Sequence, residues 1–465
     1  MSALSTAIAL LLPTGCGYLV VGYFLRDDPR SGMLEKLALG YGAGAGIVTF
    51  VMFLAGVAGV PFGAPVITAG AGAVAGFFYY LTRRDGKSPF RASRPAGPGL
   101  AGWRLYLAII MGVWVAAKLA FVFYEGTARP IFSWDAWNHW STAGKVFFYD
   151  RGLLLDRTSE FYFGAGYRFL GHPLLNPLLQ TWTALWLGEF HEVYAKSWAI
   201  FYFFGLLGTF YFAAAREAGR LGALAGVFFL AGVPLLTYHG TTAYSDLPLA
   251  YYGLAGTAAF WGYLRGGNRD LLALAGLFVS MGALTKNEGL FFFIAIGAAL
   301  AVHLASEKKP VVAGLAAFLI PCVILMGPWM AFKAVNGLGF GHSGGEAGIA
   351  LLSDPKYPEA HGVHWQVLPV IARDFFLRAN YNLIFPFWIA LTLWRRKDVL
   401  GSPVRYLYVI VLSVISMFLV VYLLVEFSAV TEATGLQRNT MTYLPVLFFT
   451  VLVLLARGRT GSSGK

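Results

Sequence analysis

Long apolar stretches separated by short polar connections make up most of the chain. About thirteen of them approach the roughly 20 residues that a helix needs to cross the hydrocarbon core of a bilayer. They lie near residues 4–22, 34–58, 63–81, 105–124, 197–214, 221–238, 247–264, 270–284, 289–304, 311–330, 381–394, 405–424 and 440–456. The pattern predicts an all-α polytopic membrane protein with about 13 transmembrane helices.

One further apolar stretch, Pro173 to Gly188, is left out of this series. It is short, it contains Pro173 and Pro177, and no basic connection follows it. Counting it as a span would reverse the orientation of every later helix. We therefore expect a re-entrant or interfacial helix inside a large outer loop between spans 4 and 5. A second outer loop joins spans 10 and 11.

Lysine and arginine residues mark one side of the predicted membrane. Connections rich in them remain in the cytoplasm, because positive charge opposes their translocation. The basic residues fall at positions 26, 30, 83, 84, 87, 91, 94, 104, 216, 220, 265, 269, 308, 309, 395–397, 405, 457 and 459. The alternation places the N-terminus outside and the C-terminus in the cytoplasm.

The same pattern divides the chain into four parts. Residues 1–82 form a three-span N-terminal unit, and residues 83–104, rich in Pro, Gly, Ser and Arg, form a basic cytoplasmic linker. Residues 105–456 form the main transmembrane domain, and residues 457–465 form a cytoplasmic tail. Small residues in the N-terminal unit predict close helix packing at Gly40, Gly42, Gly44, Gly46, Gly70 and Gly72.

Composition excludes several classes of protein. With 58% hydrophobic and 12% charged residues, the chain cannot cover a water-soluble surface. The formal charge of +12 does not indicate a nucleic-acid partner, because the cations are spread over the connections; the expected surroundings are membrane lipids. Cys16 and Cys322 lie in separate apolar stretches, which predicts neither a disulfide nor a metal-binding motif.

The first outer loop opens with an acidic residue among aromatic ones. In the segment WDAWNHW, Asp135 lies between Trp134 and Trp137, and His139 and Lys145 follow. Tryptophan alone is typical of an interfacial belt. A carboxylate at that depth can instead accept a proton from a nucleophile, while aromatic rings pack against a sugar or an isoprenoid chain.

Three other connections predicted on the same side also carry charge. Asp246 begins a span in AYSDLPLAYYG, Lys286 is followed by Asn287 and Glu288 in a tight turn, and Arg438 lies in QRNTMTYLP. Each charge alone could cap a helix or anchor it at the interface. Together they predict one site, in which a carboxylate deprotonates an acceptor and the cations bind a departing phosphate.

At this point the chain resembles the GT-C glycosyltransferases. The similarity is greatest to the bacterial branch that includes the aminoarabinose lipid A transferase and the protein O-mannosyltransferases. Residues 105–456 carry it, through WDAWNHW, GHPLLNPLLQTW, AYSDLPLAYYG, ALTKNEG and QRNTMTYLP in that order. The resemblance implies a GT-C-like fold, with Asp135 and Asp246 as the catalytic carboxylates and with Lys286, Arg438 and Lys145 near the donor phosphate.

The resemblance further implies an inverting glycosyltransferase with a polyprenyl-phosphate sugar donor, working at the outer face of the bacterial inner membrane. Because Ala136 follows Asp135, the paired acids of the protein mannosyltransferases are absent, which favours a lipid or glycan acceptor. We expect no cofactor and no essential metal, although His139, His172 and Asp246 are possible ligands. The candidate substrate-binding residues are Trp134, Trp137, His139, His172, Tyr244, Asn287, Glu288 and His342.

Two other functions compete with this hypothesis. A secondary transporter or lipid flippase would use charges within the membrane as a path, but here the charges cluster at outer boundaries. A polymerase or ligase with a diphosphate-linked donor would be expected to have an Arg-rich, His-bearing outer loop. Residues 337–364 hold His342, His361 and His364 but no Arg. The many glycines of the segment from Asn336 to about Gly362 predict a lid that orders when the donor binds.

Overall fold

The computed structural model describes residues 2–90, 99–155, 171–338, 362–424, 427–432 and 435–460, and these ranges form helices and connections without a strand. Up to the second outer loop, the α-helices are Ser2–Phe24 (α1), Met33–Val57 (α2), Ala64–Arg84 (α3), Trp103–Ala128 (α4), Thr142–Asp150 (α5), Leu175–Leu187 (α6), Glu192–Ala195 (α7), Trp198–Ala231 (α8), Pro234–His239 (α9), Asp246–Gly266 (α10), Asp270–Ala283 (α11), Gly289–Ser306 (α12) and Val311–Asn336 (α13). After it come Val367–Phe376 (α14), Ile384–Trp394 (α15), Arg396–Leu400 (α16), Val404–Leu424 (α17), Phe427–Thr431 (α18) and Leu436–Thr460 (α19).

Many of these helices can cross a membrane. Among the described residues, nine helical segments are long and apolar enough: α1, α2, α3, α4, the segment Glu192–Ala231, α12, α13, α17 and α19. Two shorter apolar helices, α11 and α15, accompany them. The all-helical, multi-pass character predicted from the sequence is confirmed. The count of about 13 spans stays a prediction.

Part of the difference in count arises in α8, where the sequence predicts two spans. Gly219 interrupts this helix with φ 70° and ψ 178°, a conformation that glycine adopts without steric cost. A Cβ atom added to Gly226 would lie 2.6 Å from the ring of Phe210. In a straight helix the two residues would be about 24 Å apart. The chain therefore reverses at Gly219 and forms two packed helices.

Ion pairs join several of the basic connections at one end of the bundle. Arg26 contacts Asp85 at 3.1 Å and Asp270 at 2.8 Å, and Arg216 contacts Glu35 at 2.7 Å. We call this the basic end. At 1.5 Å per residue, the 21 residues of α10 separate it by about 30 Å from the opposite end, where Asp246 lies. Which end faces the cytoplasm stays a prediction.

The glycine-rich face of α2 packs closely against the rest of the bundle. A Cβ atom on Gly42 would lie 2.1 Å from Tyr251 of α10, and one on Gly46 would lie 2.5 Å from Met281 of α11. The hydroxyl of Tyr252 donates a hydrogen bond of 2.8 Å to the carbonyl of Gly42. Gly72 differs, because a Cβ atom there would meet no neighbour. The N-terminal helices thus pack directly on the main domain, and the division at residue 82 stays a prediction.

The apolar stretch left out of the span series forms α6. Its 13 residues are too few to cross a bilayer, as the sequence predicted. Its surroundings differ from those expected of an interfacial helix, however, since ten of its residues are buried. The indole of Trp182 donates a hydrogen bond of 2.7 Å to the carbonyl of Ala9 in α1. The helix is therefore enclosed by the bundle.

We expect Gly17→Ala to destabilise the protein by about 1–3 kcal/mol, because added atoms in a packed interior force the backbone apart. A Cβ atom on Gly17 would lie 1.9 Å from the carbonyl oxygen of Gly40. Gly15→Ala is the matched control, since a Cβ atom on that residue of the same helix meets nothing within 4 Å. Thermal unfolding in detergent measures the difference. Equal stability of the two variants would contradict the close approach of α1 and α2.

Candidate active site

The segment WDAWNHW adopts an unusual backbone. Residues Ala136–Ser141 form a π-helix immediately after Asp135. Such turns are rare and occur often at functional sites, because the wider turn redirects side chains. Trp140 is buried, whereas Trp134 and Trp137 are 68% and 50% exposed. The turn thus leaves two tryptophan rings accessible beside Asp135.

Asp246 is the buried anion of the site. It is the first residue of α10, and its side chain is 0% exposed. Its carboxylate accepts a hydrogen bond of 3.0 Å from Lys286 Nζ and another of 3.0 Å from Arg438 Nη2. His239 Nε2 lies 3.7 Å away. A buried carboxylate is tolerated here because two cations neutralise it.

Arg438 joins this buried anion to the more accessible one. Its guanidinium donates hydrogen bonds to both Asp246 and Asp135, and it stacks 4.4 Å from the ring centroid of Tyr244. The side chain of Asp135 is 29% exposed, in contrast to that of Asp246. One guanidinium therefore holds two carboxylates at hydrogen-bonding distance, and only one of them can be reached from outside.

Lys286 completes the cluster from the turn between α11 and α12. Besides Asp246, it contacts Glu288 at 2.9 Å and donates a hydrogen bond of 3.1 Å to Asn439 Oδ1. Burial alone would lower the pKa of Lys286, but the carboxylates of Asp246 and Glu288 outweigh it and raise the pKa above its ordinary value. The lysine therefore remains charged throughout the physiological range.

The helices supply additional positive potential. Asp246 begins α10, Glu288 immediately precedes α12, and Arg438 lies in the first turn of α19. Each helix N-terminus carries about half a positive charge from its free N–H groups. These partial charges offset the carboxylates of the cluster, which outnumber its two cations. The cluster can therefore bind an additional anion, provided that one of its cations releases a carboxylate and contacts that anion instead.

Some of the other predicted site residues lie at the cluster and others do not. Lys145 forms its ion pair, of 2.8 Å, with Glu192 and not with either aspartate. The rings of His139 and His172 lie 6.0 Å apart, and Tyr244 stacks on Arg438. Burial raises the pKa of Tyr244 against the opposing effect of Arg438. Asn287 follows Lys286 in the same turn. His342 and most of the predicted lid, residues 339–361, lie outside the described residues.

The structure adds residues that sequence reasoning did not select. His239 contacts Asp246, and Asn439 contacts Lys286. Asp374, 1% exposed, accepts a hydrogen bond of 3.0 Å from Gln437, the neighbour of Arg438, and one of 2.6 Å from the hydroxyl of Tyr381. Asn439 lies within the motif QRNTMTYLP, and His239 lies four residues before the motif AYSDLPLAYYG, so both were detectable beside the selected residues. Asp374 had no such signal.

Comparison with models of protein families, with curated proteins and with solved structures finds no match for the chain. The helices define the class only as far as a multi-pass membrane protein. In the part of the chain that the structure describes, no three His, Cys, Asp or Glu side chains are grouped to hold a metal ion. The cluster of carboxylates and cations is therefore the main indication of function.

Proposed function

We propose that the protein is an inverting glycosyltransferase of GT-C type, which transfers a sugar from a polyprenyl-phosphate donor to a lipid or glycan acceptor. The site would face the outer side of the bacterial inner membrane. The observation that carries the proposal is the guanidinium of Arg438, shared between the accessible Asp135 and the buried Asp246. This arrangement places a carboxylate that a substrate can reach beside cations that can bind a phosphate.

Asp135 acts as the general base in this mechanism. The acceptor hydroxyl gives its proton to the carboxylate of Asp135 as its oxygen attacks the anomeric carbon. The bond between that carbon and the phosphate oxygen breaks in the same displacement, which inverts the configuration. The polyprenyl phosphate leaves as an anion, and Lys286 and Arg438 stabilise the developing charge.

Arg438 must change partners during this cycle. Its guanidinium donates hydrogen bonds to both aspartates, so that a new anion must compete with them for it. A donor phosphate competes for the guanidinium and releases Asp135 to act as base. Asp246, 0% exposed, remains in place and fixes the positions of the two cations. It is a positioning residue in this scheme rather than a second base.

Mass spectrometry of envelope lipids and glycans tests the proposal. Cells with the wild-type gene, without it, and with Asp135→Asn are compared. We expect one sugar-bearing species to be missing from the second and third strains and to return with the wild-type gene. An unchanged profile in the deletion strain would overturn glycosyl transfer. If deletion of the gene instead abolished the movement of an unmodified lipid between leaflets, the protein would be a flippase.

We expect transfer to continue in the presence of EDTA. A monophosphate leaving group carries less charge than a diphosphate, so that Lys286 and Arg438 can offset it. The measurement compares rates in purified protein before and after chelation, with added magnesium or manganese as the control. A rate that disappears with EDTA and returns with manganese would refute the metal-free mechanism.

A further inference from the structure

A cavity with charged residues in its lining lies at the basic end, away from the candidate active site. Its volume is about 310 Å³, which is within the range of small-molecule sites. The connection between α1 and α2, the reversal of α8 and the last turns of α10 surround it. The helix α10 thus has Asp246 at one end and this cavity at the other. The proposed transferase reaction uses none of its residues.

The cavity has an apolar wall and a charged rim. Leu39, Ala213, Ala258 and Leu274 are among the apolar residues that line it. Its charged residues comprise both signs: Asp27, Asp28, Glu35, Glu217, Arg30, Arg216 and Arg265. A ligand that fits must therefore combine an apolar part with groups of opposite charge, since any single charge would face like charge on the rim.

Some rim charges are fully paired within the protein and others are not. Arg216 contacts Asp28 at 2.9 Å and Glu35 at 2.7 Å. Arg265 reaches its carboxylate, Glu217, only at 3.7 Å, and Arg30 reaches Asp28 only at 3.8 Å. Both distances exceed that of a hydrogen bond.

Glu217 is the most informative of these groups. Its side chain is only 9% exposed, and it contacts Arg265 at 3.7 Å. Arg457 adds a second positive charge nearby. The contact with Arg265 is too long for a hydrogen bond, so a ligand in the cavity that donates one to the carboxylate gains free energy. The side chains of Arg265 and Arg30, 50% and 61% exposed, are accessible to the anionic part of the same ligand.

We propose that this cavity binds a phosphoethanolamine group. Its primary ammonium donates hydrogen bonds to Glu217, and its phosphate accepts them from Arg265 and Arg30. The two-carbon spacer keeps the opposite charges close together, as the neighbouring Glu217 and Arg265 require. The attached glycerol carbons lie against the apolar wall. A quaternary ammonium has no N–H donor, and a glycerol headgroup has no positive charge, so neither satisfies Glu217.

The group has two possible sources, which the test separates. Phosphatidylethanolamine would enter from the bilayer, whereas glycerophosphoethanolamine would enter from water. The full-length protein in detergent is titrated with phosphatidylethanolamine, phosphatidylcholine and phosphatidylglycerol of identical acyl chains, with native mass spectrometry as the readout. We expect the ethanolamine lipid to bind about tenfold more tightly than the others, as for one charge-assisted hydrogen bond. Competition by glycerophosphoethanolamine would assign the aqueous source, and its failure the bilayer.

Glu217→Gln and Arg265→Ala should each remove this preference. Arg84→Ala is the matched control, because Arg84 lies at the same end, is 59% exposed and contacts its neighbour Asp85 at 3.7 Å, but does not line the cavity. Equal binding of all three lipids to the wild-type protein would overturn the proposal, and so would an unchanged preference in both cavity variants. Neither result depends on the transferase activity.

Discussion

Replacing Asp135 with asparagine is expected to lower the rate of glycosyl transfer by about 10²- to 10⁴-fold, the range for loss of a general base. Asparagine keeps the shape of the side chain and can still accept a hydrogen bond from Arg438, but it cannot take up a proton. The fold should persist, because Asp246 continues to hold Arg438 and Lys286. The measurement is the transfer rate at saturating donor, with thermal unfolding recorded in parallel.

Asp150→Asn provides the matched control for this substitution. Asp150 ends α5 in the same connection between α4 and α8, is exposed, and accepts a hydrogen bond of 3.1 Å from the backbone N–H of Leu154. It should transfer sugar at the wild-type rate. A transfer rate that Asp135→Asn leaves unchanged would remove Asp135 from the mechanism, whatever the effect on stability.

Replacing Asp246 with alanine should destabilise the protein by about 3–5 kcal/mol, because it leaves buried cations without their shared anion. Lys286 and Arg438, 14% and 25% exposed, both use Asp246 as a partner at 3.0 Å. Removing it brings the two positive charges into direct repulsion. Unfolding in mixed detergent micelles measures the loss of stability.

Asp135→Ala is the control for the Asp246 variant. Its carboxylate is 29% exposed, so the cation that it leaves behind can be solvated, and the loss of stability should be smaller. The two aspartates are thus expected to differ in kind, with Asp135 affecting chiefly rate and Asp246 chiefly stability. Equal destabilisation by the two alanine substitutions would contradict this division of roles.

The meeting of Asp135, Asp246, Lys286 and Arg438 could be predicted from the sequence. Once the basic connections fixed the alternation of sides, four charged segments had to share one face, and a bundle brings such segments together. Their partners within the cluster could not be predicted. Lys145 belongs to the same connection between α4 and α8 as Asp135, yet it pairs with Glu192, because side-chain pairing depends on how each helix is rotated.

Helix boundaries show the limits of hydropathy in a similar way. The sequence predicts separate apolar stretches near residues 197–214 and 221–238. The reversal between them, however, depends on the backbone conformation of Gly219. Asp374 carried no sequence signal, since its importance for Gln437 arises only when α14 packs beside the start of α19. Local patterns predict elements, whereas contacts between distant elements require the assembled bundle.

The burial of α10 has a consequence for how the chain is made. This helix has 21 residues, but it is absent from the segments apolar enough to cross a membrane alone, and it carries Asp246 and three tyrosines. Nearly all of its length is covered by other helices. During synthesis it cannot partition into lipid by its own hydrophobicity. Its insertion therefore depends on the neighbouring helices that cover it, so the cluster around Asp246 can form only once those helices are in the membrane.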